Sequence, residues 1–368
     1  MSEGLIALYR GNKYLQEGSY SKAAEKLIAA RELLSGRENP AALVRADLLL
    51  ATTILAEPDA MPEPDNSNIN IQMLIVDALA ILNSEETALL KPQELTVVQP
   101  ALEWAVQNKV FGSTATALIN ADQVRSPDLF KITLLGNLLI KWGNKVISDE
   151  AFSNPKAKLL FLYLLTRRYQ HVDRDVLCGT FWPNLDQAAA RNNPSSQVYL
   201  LRKLVGPDLI KYQKGFYSIN TCICAIDVDT FTGLANLALS SGKQENRKHI
   251  GIYLNKAIEL YQGDYLSEYL YIDWINEERT ALRRRYTTLL ATLAELMADD
   301  HDFEKAAATL EKAPILQEYD DQLLFKLIDY YIKSGNRGKA LQRFDFYRQK
   351  IAEELDLEPD PKIASLLN

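Results

Sequence analysis

The chain is poor in the residues that carry most metal and nucleophile chemistry. Its 368 residues hold three cysteines and three histidines, His171, His249 and His301. Three cysteines in a chain this long do not make a disulfide framework. Cys222 and Cys224 lie two apart at an expected strand end, with no further Cys or His cluster nearby. Packed thiols are expected there rather than a metal site. No apolar run reaches the ~18 residues of a membrane span, and MSEGLIALYRG lacks the basic lead and long apolar block of a signal peptide. The expected compartment is therefore the cytoplasm. Motifs of catalysis are absent as well. SGNRGKA (334–340) has the wrong spacing for a phosphate loop, and neither a Gly-x-Ser-x-Gly elbow nor His-Glu-x-x-His occurs. The acid runs ADDHD (298–302) and EYDD (318–321) fall at predicted helix junctions, where solvated turns are expected. No enzyme activity and no cofactor are expected.

What the chain does have is an uneven charge distribution. The net charge is −7, which taken alone argues against a polyanionic partner. Residues 1–127 hold 10 basic and 16 acidic residues, residues 128–220 hold 13 and 7, and residues 221–368 hold 18 and 25. A positive middle segment thus sits between two acidic flanks, and phosphate binding follows local potential rather than total charge. Nearly half the residues are apolar, enough for two or three packed domains at this length.

The flanks read as helical. LIALYRGNKYLQEG, SYSKAAEKLIAARELL and AALVRADLLLATTIL carry apolar residues at i, i+3/i+4 and i+7 spacing, and Gly18 ends the first helix. EPDAMPEPDNSNIN (57–70), with three prolines and four acids, predicts a mobile loop. IQMLIVDALAILN and ELTVVQPALEWAVQ resume the helical period. YSKAAEKLIAA (20–30) and FEKAAATLEKA (303–313) share the pattern aromatic-x-Lys-Ala-Ala-x-x-Leu-x-x-Ala, and Lys339-Ala340 repeats Lys305-Ala306 34 residues on. That is the period of tetratricopeptide helix pairs. Small Ala23, Ala306 and Ala340 let a second helix come close, while Tyr20 and Phe303 fill the wedge between turns. A generic antiparallel helix pair is the plainer alternative. The pattern is present from the first helix onward, which leaves open that the chain is a piece of something longer.

The middle segment mixes strands and helices. FKITLLG, LLIKW and KVI predict short strands, with a Gly-Asn turn between the last two. PKAKLLFLYLLTRR (155–168) predicts a core helix with Pro155 in its first turn. RDVLCGTFW predicts a second helix, which Asp173 can cap. A third helix begins at Pro194 with Asn193 as the expected cap. LIKYQKGFY predicts a hairpin with Gln213, Lys214 and Gly215 at its tip and Lys211 just before. The order is hairpin, three helices, basic hairpin, which offers one helix to a DNA major groove and one hairpin to the backbone.

On the third helix, Pro194, Val198, Leu201 and Val205 form one narrow stripe that should face the core. Ser196, Tyr199, Leu200 and Lys203 lie opposite, with Ser195, Gln197 and Arg202 on the flanks and Arg191, Asn192 and Asn193 at the N-terminal end. Asn, Gln and Ser can read base edges, Arg and Lys can grip phosphates, and Leu200 beside Tyr199 suits a thymine methyl or a protein partner. An amphipathic helix with a solvated polar face would look the same. Trp182 can donate its indole N–H to a phosphate or simply pack in the core. Asp227 and Asp229 in DVDTF are expected to cap the helix that follows.

These residues resemble a known family. Segment 130–217, through LLGNLLIKWGNKVI, VDRDVLCGTFWP, AAARNN, LLRKLVG and GFY, resembles the winged helix of SARP-type bacterial transcriptional activators, related to that of OmpR/PhoB response regulators. Residues 227–368, through DVDTF, ELYQGDYLSEY, DWINEERTALRRRY and SGNRGKALQRFDFYRQKIAEELDLEPDP, resemble that family's bacterial transcriptional activator domain. The resemblance implies a mainly α fold in which TPR-like helical repeats (1–125 and 227–368) flank a small α/β winged-helix domain (128–222). It implies a DNA-binding activator that contacts RNA polymerase, with the helical domains supporting regulation and homodimers. The DNA-facing positions it carries over are Asn192, Asn193, Ser195, Ser196, Tyr199, Leu200, Arg202 and Lys203. Tyr199 and Leu200 stand where related winged helices often carry arginines, and Pro194 where an aliphatic residue is usual. The residues alone leave a second reading, a protein-binding repeat scaffold whose winged helix has lost strong DNA binding.

Overall fold

The computed structural model describes residues 2–34, 39–60, 71–84, 90, 92–108, 111–119, 130–186, 191–240, 247–313 and 320–367. The chain forms two compact units, Met1–Gly233 with Tyr265–Glu278, and Leu234–Asp264 with Arg279–Asn368. The first unit holds both the N-terminal helical segment and the mixed segment.

The first unit opens with α1 (Glu3–Gln16), α2 (Tyr20–Leu34), α3 (Pro40–Ala56), α4 (Ile71–Ser84), α5 (Pro92–Gln107) and α6 (Gly112–Ile119). The sequence dictates these ends locally. Gly18 takes φ +72°, so the Ser19 amide closes onto the Tyr14 carbonyl at 2.8 Å and stops α1. Pro40 occupies the first turn of α3, where its missing N–H is harmless, and Asn39 caps by accepting from the Ala42 amide at 3.1 Å. Small residues set the α1–α2 spacing: a methyl added at Gly11 would lie 2.6 Å from Leu27 Cγ, and Ala23 is fully buried. Between α2 and α3, Arg31 donates to the buried Asp47 at 2.7 Å. Helix α6, GSTATALI, was not expected from its small and polar residues. Of the segment expected to be a loop, Pro58–Ala60 forms one 3-10 turn, and 61–70 lie outside the described residues.

The mixed segment carries β1 (Phe130–Thr133), β2 (Leu139–Trp142), β3 (Lys145–Ser148), α7 (Pro155–Thr166), β4 (Val172–Asp173), α8 (Arg174–Phe181), α9 (Asn193–Val205), β5 (Ile210–Gln213), β6 (Phe216–Ile219) and β7 (Cys224–Ile226). One sheet has the order β3-β2-β1-β7, antiparallel except for the β1–β7 pair, and the other β4-β6-β5. Helix α7 is the hydrophobic centre of this segment. Leu160, Phe161, Leu162 and Leu165 are completely buried, and Asn154 caps the helix by accepting from the Lys156 and Ala157 amides. Asp173 caps α8 as expected, accepting from the Asp175 amide.

The two aspartates of DVDTF do something other than cap. Asp227, the first residue of α10 (Asp227–Ser240), accepts from the Leu134 and Leu135 amides at 2.8–2.9 Å and from the Val228 amide at 2.8 Å. Its carboxylate thereby seals the end of β1. Asp229 is buried and pairs with Arg168 just beyond α7, Nε to Oδ1 at 2.7 Å and Nη2 to Oδ1 at 2.6 Å. Both partners lie 60 or more residues upstream, so capping, the only local option visible in the sequence, is corrected.

Burial pushes the Asp227 carboxyl up to about 6 from an ordinary 3.8, against the pull of its three N–H donors. The folded chain then holds this proton more tightly than the unfolded chain. The resulting stabilisation is present in full below pH ~4 and is lost as pH rises through about 6. Compared with Asp227→Asn, the wild type should gain roughly 1 kcal/mol per unit as pH falls from 6 to 4. Urea melts of the two proteins across that range check the slope.

The second unit contains the rest of α10, then α11 (Arg247–Leu260), most of α12 (Asp273–Asp299), α13 (Phe303–Leu310), α14 (Asp321–Lys333), α15 (Arg337–Leu355) and α16 (Pro361–Leu366). Its core clusters Leu290, Ala306, Leu310, Ile328, Ala340 and Tyr347. Ala306 and Ala340, 34 residues apart, are both fully buried. Tyr261 and Tyr286 stack at 4.1 Å, and Arg283 binds Asp264 through Nε and Nη2. Two acids of these runs sit at helix starts: Asp302 caps α13 and also pairs with Lys305, and Asp320 caps α14. No group of residues that could hold a metal occurs among the described residues. No described helix is long and apolar enough to cross a membrane.

Candidate nucleic-acid interface

Helix α9 buries the stripe its sequence lays down: Pro194, Val198, Leu201 and Val205. These residues pack it against α7 and α8. The opposite face stays open. Ser195, Ser196, Tyr199, Leu200 and Lys203 are exposed, Tyr199 at 59% and Leu200 at 40%. The helix starts one residue earlier than expected. Asn192, rather than Asn193, precedes it, in an αR conformation with no side-chain cap, and the Asn192 carbonyl accepts from the Ser196 amide. Asn193 is half-buried, and Arg191 and Asn192 are exposed. Residues 187–190, which include the three alanines of AAARNN, lie outside the described residues.

Two contacts fix the C-terminal end of α9, and neither was legible locally. Lys145, on β3, donates to the Leu204 carbonyl at 2.5 Å, placing a positive charge where the helix dipole is negative. Gly206, just past the helix, takes φ +84° and ψ +163°, a region essentially reserved for glycine. Its Cα faces Trp142, itself stacked on Phe130 at 4.9 Å, and an added Cβ would lie 3.3 Å from the indole. Gly206→Ala should therefore cost about 1–3 kcal/mol, read as a lower urea midpoint.

The hairpin β5–β6 carries the remaining candidates. Lys214 and Gly215 both take positive φ, 50° and 91°, as a tight two-residue hairpin turn requires. The Gly215 carbonyl accepts from the Arg174 amide at 3.0 Å, which anchors the tip to the start of α8. Lys211, Gln213 and Lys214 are exposed, as are Tyr212 and Phe216.

The structure divides the expected residues into two groups. Some hold the module together: Arg202 Nη2 donates to the Ile210 carbonyl at 2.7 Å, tying helix to hairpin. Ser195 Oγ and the Tyr217 hydroxyl share a hydrogen bond at 3.0 Å, and Asn193 and Gln197 are half-buried. The others face outward: Arg191, Asn192, Ser196, Tyr199, Leu200, Lys203, Lys211, Gln213 and Lys214. Lys203 Nζ sits 4.5 Å above the Tyr199 ring, so charge and aromatic surface are presented together. Trp182 is half-buried after α8, with Lys156 Nζ 5.1 Å from its ring centroid. The surface is thus a helix face of small polar and aromatic groups, flanked by four cationic side chains, Arg191, Lys203, Lys211 and Lys214.

Residues 226–368 match the protein family described as Bacterial transcriptional activator domain. Over 239 residues the chain is 24% identical to the regulatory protein AfsR of Streptomyces griseus, covering 65% of this chain and 24% of that protein. It is 22% identical over 219 residues to the transcriptional regulatory protein MoaR1 of Mycobacterium tuberculosis, covering 58% and 70%. The chain therefore spans about a quarter of the length of the first relative. Its fold resembles that of Mycobacterium tuberculosis EmbR, solved in complex with a low affinity phosphopeptide, at a TM-score of 0.53 and 20% identity over 65% of this chain and 64% of that one.

Proposed function

We propose that this chain, whose bacterial transcriptional activator domain and regulatory relatives support a transcriptional regulator of the SARP type, binds promoter DNA through α9 and the β5–β6 hairpin. The outward face of α9 enters the major groove, where Asn192 and Ser196 read base edges and Leu200 meets a thymine methyl. Lys203, Lys211, Lys214 and Arg191 neutralise phosphates. The observation that carries this reading is the open face of α9, left uncovered while the opposite stripe is fully packed. In this reading 130–217 is an OmpR/PhoB-type winged helix and the helical segments are TPR-like repeats that serve regulation, homodimers and contact with RNA polymerase. The chain acts in the cytoplasm and performs no catalytic step.

The direct test is selection of bound sites from random duplexes. Wild type should enrich a defined sequence, and Asn192→Ala and Ser196→Ala should shift the enriched bases while keeping affinity within about tenfold. Failure to enrich any duplex overturns the proposal.

One observation favours a second reading. Tyr199, Leu200, Tyr212 and Phe216 expose substantial apolar surface, and Arg202 is already engaged by the Ile210 carbonyl. A protein partner on a repeat scaffold would use such a surface. Its signature is tight protein binding with no measurable duplex affinity at low salt.

A further inference from the structure

We propose that a second copy of this chain docks its Leu270–Tyr271 tip on the open face of α9 and the β5–β6 hairpin, so that self-association and duplex binding exclude one another. The exclusion rests on the DNA-binding reading above; the self-association does not. Tyr271 is 95% exposed and Leu270 57%, and the two stand together just before α12. Apolar side chains exposed singly are ordinary, but these two ride on a backbone pinned on both sides. Tyr265 and Leu266 are completely buried. The Leu266 and Ser267 amides donate to the Leu134 and Gly136 carbonyls at 2.9 and 3.1 Å. The Tyr269 hydroxyl donates to Asp149, and Asn276 Nδ2 donates to the Leu270 carbonyl at 2.9 Å. A tip held in this way loses little conformational freedom on docking, and tyrosine is a frequent anchor of protein interfaces.

Charge selects the occupant. Residues 265–278 hold four acids, Glu268, Asp273, Glu277 and Glu278, and no lysine or arginine. Glu268, Asp273 and Glu277 are exposed. Acids around the tip repel phosphates, so the tip is no DNA contact, and they repel an identical tip as well. The complementary surface is on the chain itself. Tyr199, Leu200, Tyr212 and Phe216 are 39–59% exposed, and the same face carries the exposed cations Arg191, Lys203, Lys211 and Lys214. One surface is apolar among acids and the other apolar among bases, so opposite potentials steer two copies together and set their register. DNA binding uses the cations but gives Tyr199, Tyr212 and Phe216 no task; the docked tip covers them. The contact joins unlike surfaces, so it closes as a reciprocal dimer or continues head to tail.

Sedimentation velocity of the full chain tests the docking. Wild type should associate at about 50 mM salt and separate at about 500 mM, where the Debye length falls to ~4 Å. Tyr271→Ser, at a position that packs on nothing, should weaken association about 30-fold, as loss of an aromatic anchor does. Glu268→Lys with Glu277→Lys should abolish it, and so should Lys203→Glu with Lys211→Glu. An equal mixture of these two double variants should associate again, because the native tip of one meets the native face of the other. The duplex found by site selection should convert wild-type assemblies to single copies on DNA. A chain that stays single at about 100 µM, ample for an interface of ~1,200 Å² or less, overturns the proposal. Association untouched by Tyr271→Ser also overturns it and assigns the tip to a different partner, as does a mixture that fails to associate. Assemblies that bind the duplex as tightly as single copies overturn the exclusion. If no duplex binds while the mixture associates, the DNA-binding reading fails and the docking stands.

Discussion

Replacing Asp229 with Ala is expected to lower the unfolding free energy of the first unit by about 3–5 kcal/mol, the range for stranding one partner of a buried ion pair. Arg168 and Asp229 are 8% and 6% exposed at their side chains. Burial alone would disfavour the guanidinium charge, yet Asp229 more than offsets it and holds Arg168 firmly protonated. Without Asp229, that cation stays charged and desolvated. A total stability of 5–15 kcal/mol makes this loss a large fraction of the whole. The double change Arg168→Met with Asp229→Leu should recover most of it, because two apolar groups carry no desolvation penalty. All four tryptophans, Trp104, Trp142, Trp182 and Trp274, belong to the first unit, so urea melts followed by tryptophan emission report on this unit. A single variant as stable as wild type would show that the pair contributes nothing.

Changing Lys203, Lys211 and Lys214 together to Ala should weaken duplex binding by roughly 100- to 1,000-fold at 0.1 M salt. Each phosphate contact contributes about 0.9 to the slope of log affinity against log salt, and so about 0.9 decade at that ionic strength. All three lysines are exposed, so the folded state should be unaffected. Asn192→Ala moves the sequence preference, whereas the lysine changes should weaken every duplex alike. Titrations of the triple variant on the selected site and on an unrelated duplex separate the two effects.

How much of this was legible in the sequence depended on the range of the interaction. The stripe Pro194, Val198, Leu201, Val205 follows from helical period and a single proline, and the structure buries those four. The Lys214-Gly215 turn and the Asp173 cap are equally local. The start of α9 differs by one residue because Asn192 adopts helical dihedrals without offering its side chain as a cap. Asp227 and Asp229 were misread for a different reason. Their partners Leu134, Leu135 and Arg168 are 61 to 93 residues away, and no periodicity encodes that distance. Lys145 bracing the end of α9 across 59 residues belongs to the same class, whereas Arg202 turns inward to the Ile210 carbonyl only 8 residues on. Spacing placed Arg202 on a flank of the helix, but only the folded hairpin decides whether it faces a phosphate or a carbonyl.

The central claim is that the open face of α9 and the basic hairpin tip meet the DNA backbone. The affinity of the wild-type chain for its selected duplex, measured from 50 to 200 mM salt, tests this most directly. Three lysine contacts predict a log–log slope of about −2.7 or steeper, hence roughly a 40-fold or greater loss across that range. A duplex affinity that is undetectable at 50 mM, or that does not change with salt, would contradict it.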